Sequence, residues 1–221
     1  ELHSLVAAAI EEIYAKRLPE FYGLLAYHYE QGEEWEPALE YLQRAAEHSR
    51  SVAAHREESS LLSRAIIIAG RLAQPALVAE LRGKRGSAWA KVGMWPEAKP
   101  ELESALAQLP PEHWERRAEL LLDLAAVNYW GLDIPAMRKN ATEGYQLVEK
   151  SNRRDLIAAS VGWIAGAEAS DGKTDAALDL FERAATISAG SSCPPLSLFP
   201  MVLYWRGRIN DALRRAFETA R

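Results

Sequence analysis

Only one cysteine occurs among the 221 residues. Cys193 has no partner in the chain, so an internal disulfide framework and any zinc site built on paired cysteines are excluded. A small thiol near a turn is all that is expected of it. Valine, isoleucine and threonine are few beside alanine and leucine, which favours helix over strand. No apolar run is long enough to cross a bilayer and no signal peptide opens the chain, so no membrane contact and a cytoplasmic location are expected. An overall basic excess is also lacking, although the balance leaves a local basic patch open. With 26 basic and 31 acidic residues the net charge is −5, which argues against nucleic acid as the main partner.

Catalytic constellations are missing too. The five histidines, His3, His28, His48, His55 and His113, are scattered, and no His-Glu-x-x-His zinc pattern occurs. His48 and His55 are seven apart, but a helix break is expected near Arg50. Gly83-Lys84-Arg85-Gly86-Ser87 has the letters of a phosphate loop in the wrong order, inside an expected helix whose amides are already bonded. The acidic pairs Glu11-Glu12 and Glu57-Glu58 are read as solvated helix faces. No nucleophile has an assignable base and orienting group. No enzyme activity, cofactor or metal is expected.

What is present is a repeat. Apolar residues make up 48% of the chain, ample for a core. The best-formed unit contains Gly86, Trp89, Gly93, Trp95, Ala98, Leu102, Ala105 and Pro110. Gly86 allows two helices to approach closely and Trp89 fills the space beside it. Gly93 suits the left-handed position past a helix end. Trp95 opens the second helix, with Pro96 tolerated in its first turn. Ala98 and Ala105 give a narrow contact strip, and Pro110 stops the helix. Weaker copies run through Ala26, Tyr29, Trp35, Ala38, Leu42 and Ala45, with Gly32 one place early; through Ala125, Gly131, Ile134, Met137, Ala141 and Gly144; through Ile164, Ala165, Gly172, Ala177, Phe181 and Ala184; and through Gly207, Ile209, Ala212 and Ala216.

This spacing resembles the tetratricopeptide repeat (TPR) family. The resemblance implies an all-α, right-handed superhelix of antiparallel helix pairs, a TPR-like α-solenoid of about twelve helices. One domain over 1–221 is expected, with a lead-in at 1–18 and repeat units at 19–51, 79–110, 118–151, 158–190 and 193–221. The anchoring positions Ala38, Ala98, Met137, Ala177 and Ala212 are stepped by more than the family's period. The longest step, from Ala38 to Ala98, leaves room for one extra helix at 53–70 without a first-helix partner. In the last unit Pro200 stands where a small residue is expected, so its first helix should start late, near Ser197. Gly190–Pro195 is expected to be the mobile loop. Both ends look cut, as in a fragment of a larger protein.

In such an array the first helix of each pair lines the concave face. The candidate binding residues there are Tyr27, Lys91, Tyr129, Trp130, Gly162, Gly166, Met201, Tyr204 and Trp205. Tyr129-Trp130 and Tyr204-Trp205 share one register, and aromatic residues make large, low-entropy contacts. They either anchor a partner or pack against the neighbouring repeat. Gly23, Gly83, Gly162 and Gly166 each cost about 1 kcal/mol relative to alanine inside a helix, so close packing or an open groove must compensate. Lys91 alone among the lining residues is basic, so the carboxylate clamp used by some members of the family is not expected.

Leu24-Leu25-Ala26-Tyr27-His28-Tyr29 and Trp35-Glu36-Pro37-Ala38-Leu39-Glu40-Tyr41-Leu42, with the stretch Glu1-Leu2-His3 to Ile13-Tyr14 before them, resemble the helical-repeat region of large bacterial signalling ATPases of the adenylate/guanylate cyclase or transcriptional-activator type. The resemblance covers about the first fifty residues. It implies a regulatory, non-catalytic module binding a protein or peptide partner, other domains of the parent protein among them. A small-molecule-sensing arm with an inducer in the groove, or a passive scaffold that self-associates, are the alternatives.

Overall fold

The computed structural model describes residues 2–189 and 193–219, and every regular element among them is helical. Twelve α-helices follow one another: α1 Leu2–Ile13, α2 Tyr22–Gln31, α3 Trp35–Ser51, α4 His55–Arg71, α5 Pro75–Lys91, α6 Trp95–Gln108, α7 Trp114–Trp130, α8 Ile134–Val148, α9 Arg154–Ser170, α10 Thr174–Ser188, α11 Phe199–Trp205 and α12 Ile209–Thr219. Short 3-10 segments, Ala15–Phe21 and Pro194–Leu198, lead into α2 and α11. No helix among the described residues is long and apolar enough to cross a membrane.

One turn is used seven times. After α2, α3, α4, α5, α7, α9 and α11 a residue takes positive φ: Glu33 (59°), Ala53 (58°), Ala73 (53°), Gly93 (83°), Leu132 (59°), Gly172 (80°) and Gly207 (71°). The amide of the next residue then reaches back five places, as in Glu34 N to Tyr29 O at 2.9 Å, Gln74 N to Ala69 O at 3.0 Å and Lys173 N to Glu168 O at 3.0 Å. This is the Schellman arrangement, which satisfies carbonyls a helix end would otherwise leave open. The same residue's carbonyl accepts the first bond of the next helix, from Ala38, Val78, Ala98, Met137, Ala177 or Ala212. Helix end, reversal and helix start thus occupy three residues. The anchoring side chains fall at the fourth place of the second helix, against its partner. Ala38, Ala98, Met137 and Ala177 are wholly buried there.

The helices are more evenly spaced than the sequence reading allows. Trp35, His55, Pro75 and Trp95 begin successive helices twenty residues apart. The residues expected to hold one unpartnered helix therefore hold α4, which packs on both α3 and α5. α5 itself starts at Pro75, before the expected 79. The hairpin α4–α5 escapes the motif because its left-handed position is Ala73 and its anchor is Val78, neither of them the small or glycine residue sought. A second correction concerns charge. Glu58 is not solvated but 5% exposed, and its Oε2 lies 2.8 Å from His55 Nδ1. Glu11 likewise accepts hydrogen bonds from Tyr29 (3.0 Å) and Tyr41 (2.5 Å), fastening α1 to α2 and α3. Burial, then the bond to Glu11, pushes the Tyr29 phenol up to about 12, so it stays a donor.

The described chain forms two compact units, Glu1–Gln108 and Leu109–Arg221. In the first, Leu25, Leu42, Leu62 and Leu81 belong to one apolar cluster from α2 to α5. In the second, one cluster gathers Leu122, Met137 and Trp163 from α7, α8 and α9, and another gathers Phe181, Phe199 and Leu203 from α10 and α11. Of the stretch expected to be a mobile loop, Gly190, Ser191 and Ser192 lie outside the described residues. Cys193 and Pro195 are buried, and α11 starts at Phe199, two residues after the expected Ser197. Burial also pushes the Cys193 thiol up to about 11, keeping it protonated.

A non-glycine residue in the left-handed region carries strain of about 1 kcal/mol. Leu132 is 83% exposed, so it loses no packing when truncated. Leu132→Gly is expected to stabilise the fold by about 0.5–1 kcal/mol, read as a higher denaturant midpoint, and Leu132→Val to lower that midpoint. A lowered midpoint for Leu132→Gly contradicts this account of the turn.

Candidate functional site

Four of the nine candidate residues are aromatic ends of first helices in the second unit. Tyr129 and Trp130 close α7, and Tyr204 and Trp205 close α11, each pair followed by the same reversing turn. The chain must leave the helix there, so the last two side chains cannot be covered by a further turn of their own helix. Trp130 is 53% exposed, Trp205 56% and Tyr204 63%. Tyr129 behaves differently. Its ring is half-buried, with the Trp163 centroid 5.7 Å away and the edge of Trp130 meeting it at 76° and 5.2 Å. Burial raises the Tyr129 phenol above its ordinary range, so the hydroxyl remains neutral. Of the two readings of the aromatic pairs, packing holds for Tyr129 and an open surface for the other three.

Between them runs α9. It touches α7 directly, and the 3-10 segment Pro194–Leu198 lies on it. Gly162 and Gly166 make that contact. A Cβ on Gly162 would stand 2.7 Å from Pro195 Cβ, and one on Gly166 would stand 3.2 Å from a Leu198 methyl. Both glycines are buried, so they offer no surface to a partner, and the groove reading fails for them. Close packing accounts for them, as it does for Gly86 against Leu102 at 3.1 Å, but not for Gly23, which has open space around it. Met201 on α11 is half-buried.

The last turn of α9 is fixed from α8. The Arg138 guanidinium bonds Glu168, and its other arm reaches Asp171 at 2.7 Å, while Lys173 lies 3.1 Å from Glu168. Arg138, then Lys173, holds the Glu168 carboxyl below the usual carboxylate range. This ionic clasp ties the end of α9 to α8. Sequence reading missed it because its members lie thirty residues apart on different helices.

The remaining candidates, Tyr27 and Lys91, belong to the first unit. Tyr27 is 46% exposed, and its ring meets His3 (6.0 Å) and His28 (5.5 Å) edge-on. His3 and His28 place their Nδ1 atoms 2.9 Å apart, a contact between α1 and α2 that no motif announced. Lys91 ends α5 and is exposed. Among the described residues no group of three or more histidine, cysteine, aspartate or glutamate side chains could hold a metal ion.

The packing at Gly162 has a direct check. Gly162→Ala must displace Pro195 and is expected to destabilise the chain by about 1–3 kcal/mol. Gly144→Ala, whose Cβ would sit at an ordinary 3.6 Å from Leu122, should instead stabilise by up to about 1 kcal/mol. Thermal melting of the two variants separates these signs, and a neutral or stabilising Gly162→Ala would reopen the groove.

No family model matches this sequence, and no curated protein matches it either. Solved structures do. BtubC (BKLC) from P. vanneervenii matches over 100% of this chain and 87% of its own, with a TM-score of 0.57 and 17% identity. The APC/C hetero-tetramer Cut9-Hcn1 matches over 98% of this chain, with a TM-score of 0.61 and 16% identity, and this chain spans 42% of the one it matches. The TPR-like repeats of a Podosopora anserina kinesin light chain match over 82% of this chain and 93% of their own, at 0.56 and 18%. At such identities the likeness concerns architecture alone: the fold is that of the TPR-like helical-repeat proteins, an α-solenoid of successive helix pairs.

Proposed function

We propose that the chain is a non-catalytic interaction module that holds a partner polypeptide on the aromatic ends of α7 and α11. One observation carries the reading: Trp130, Tyr204 and Trp205 are each more than half exposed, in one register, on helices of the same compact unit. Large rigid side chains kept in water have an unfavourable solvation that a partner relieves, and tryptophan and tyrosine dominate binding energy where they are buried on association. Open rings of this kind suit an extended or helical segment better than an enclosed small molecule. The comparison with Cut9-Hcn1, solved as a hetero-tetramer, supports a role in assembly for this architecture.

The finer reading places the module in a multidomain cytoplasmic signalling protein, as the resemblance of the first fifty residues to bacterial signalling ATPases implies. Partner binding there would shift a closed form towards an open one, provided that the partner binds the two unequally. Among the candidate residues Lys91 alone is basic, and it belongs to the first compact unit. A carboxylate-ended peptide is therefore not the expected partner.

Peptides selected from a random library against the intact chain test the surface whatever the natural partner is. Trp130→Ala and Trp205→Ala are each expected to weaken the selected peptides at least tenfold, or about 1.4 kcal/mol, with helix content unchanged. Equal affinity for both variants and the parent chain would remove these residues from the site.

A further inference from the structure

We propose that the last helix pair carries a second, separate site, an arginine-lined cavity that binds a phosphate group. A cavity of about 180 Å³ opens between α10, α11 and α12, several times the ~30 Å³ share of one water. Its polar wall is formed by Arg208, Arg214 and Arg215, with Asp211 among them and Glu182 across from them on α10; Phe199 and Leu203 close its floor. Residues 193–219 carry four arginines against two acids, with no lysine, in a chain whose net charge is −5. The last pair therefore carries a local excess of positive charge, as guanidinium alone. Guanidinium presents five N–H donors in a planar fork that matches the oxygens of phosphate, which a lysine ammonium does not.

The cluster is held in place before any ligand arrives. Asp211 sits one turn from both Arg208 and Arg214. Its Oδ2 accepts from Arg208 Nε at 2.9 Å, and its Oδ1 accepts from the Arg214 guanidinium. Each contact engages one edge of a guanidinium that carries five donors. Arg208, then Arg214, keeps the Asp211 carboxyl below the usual carboxylate range. Arg215 lies with its guanidinium carbon 5.2 Å from the centre of the Phe199 ring, which orients its plane over the cavity floor. Arg206 is turned away to Asp175 at 2.5 Å and is not part of the site. Three guanidiniums against two carboxylates leave the wall net positive, and the exposed Glu182 opposes binding.

The shared chemistry is a phosphate monoester or free phosphate, and its source is decided by the same experiment. The whole chain is titrated with inorganic phosphate at constant ionic strength made up with chloride, following the Nε–H resonances of its arginines. Saturable shifts of Arg208 and Arg214 are expected. The double variant Arg208→Gln/Arg214→Gln should weaken binding at least tenfold, and Glu182→Gln should tighten it about threefold, which a merely structural role for these residues would not produce. Arg214 is 68% exposed, so Arg214→Gln alone, expected to weaken binding about threefold, keeps the test open if the double variant unfolds. Arg44→Gln, on α3, should change nothing. A short peptide carrying phosphoserine that binds tenfold tighter than inorganic phosphate identifies a phosphorylated partner, and equal affinity identifies free phosphate. Shifts that chloride reproduces, or that persist unchanged in the arginine variants, overturn the site.

Discussion

The structure depends on a three-residue reversal. A residue in the left-handed region lets the amide of the following residue reach back to the previous helix, while that following residue's carbonyl starts the next helix. The chain therefore turns without leaving polar backbone groups open, and the fourth residue of the new helix lands against the old. Where that residue is alanine, as at Ala38, Ala98 and Ala177, the backbones close to a distance that excludes water. Each hairpin is a local solution, built from residues near in sequence. This is why the architecture persists among proteins at 16–18% identity.

The parts of this grammar that sequence discloses are those that need a particular side chain. Gly93, Gly172 and Gly207 occupy left-handed positions and are legible as helix ends. Gly32 and Gly131 invite the same reading, yet φ is −83° and −78° there, and the next residues, Glu33 and Leu132, take the strained position. The turn is imposed by the two helices it joins, not by its own residue. Hence Ala53 and Ala73 reverse the chain unannounced, and the α4–α5 hairpin stays hidden. Glu58 adds to the concealment: a carboxylate stands in the interior because His55, three residues before it, supplies the hydrogen bond.

The aromatic ends show a similar division. That Tyr129, Trp130, Tyr204 and Trp205 share a register follows from counting. Which of them is covered does not, because it depends on Trp163, a residue of a different helix that buries the Tyr129 ring and leaves Trp130 open. The glycines of α9 depend on a distant partner in the same way. Gly162 is there for Pro195, and nothing near Gly162 in the sequence points to it. The arginine-lined cavity could be suspected from charge alone, since four arginines crowd the last pair, but only the fold shows that Asp211 ties two of them around a hollow.

Native-state hydrogen exchange measures the reversal directly. Successive helical hairpins joined by one turn require the amides of Ala54 and Gln74, which bond Ser49 O at 2.8 Å and Ala69 O at 3.0 Å, to be protected to the same degree as those of Met94 and Lys173. Comparable slow exchange at all four is the expected result. Exchange at Ala54 and Gln74 as fast as in an unstructured peptide would mean that α4 and α5 are not joined in this way, and the continuous run of hairpins in the first unit would be wrong.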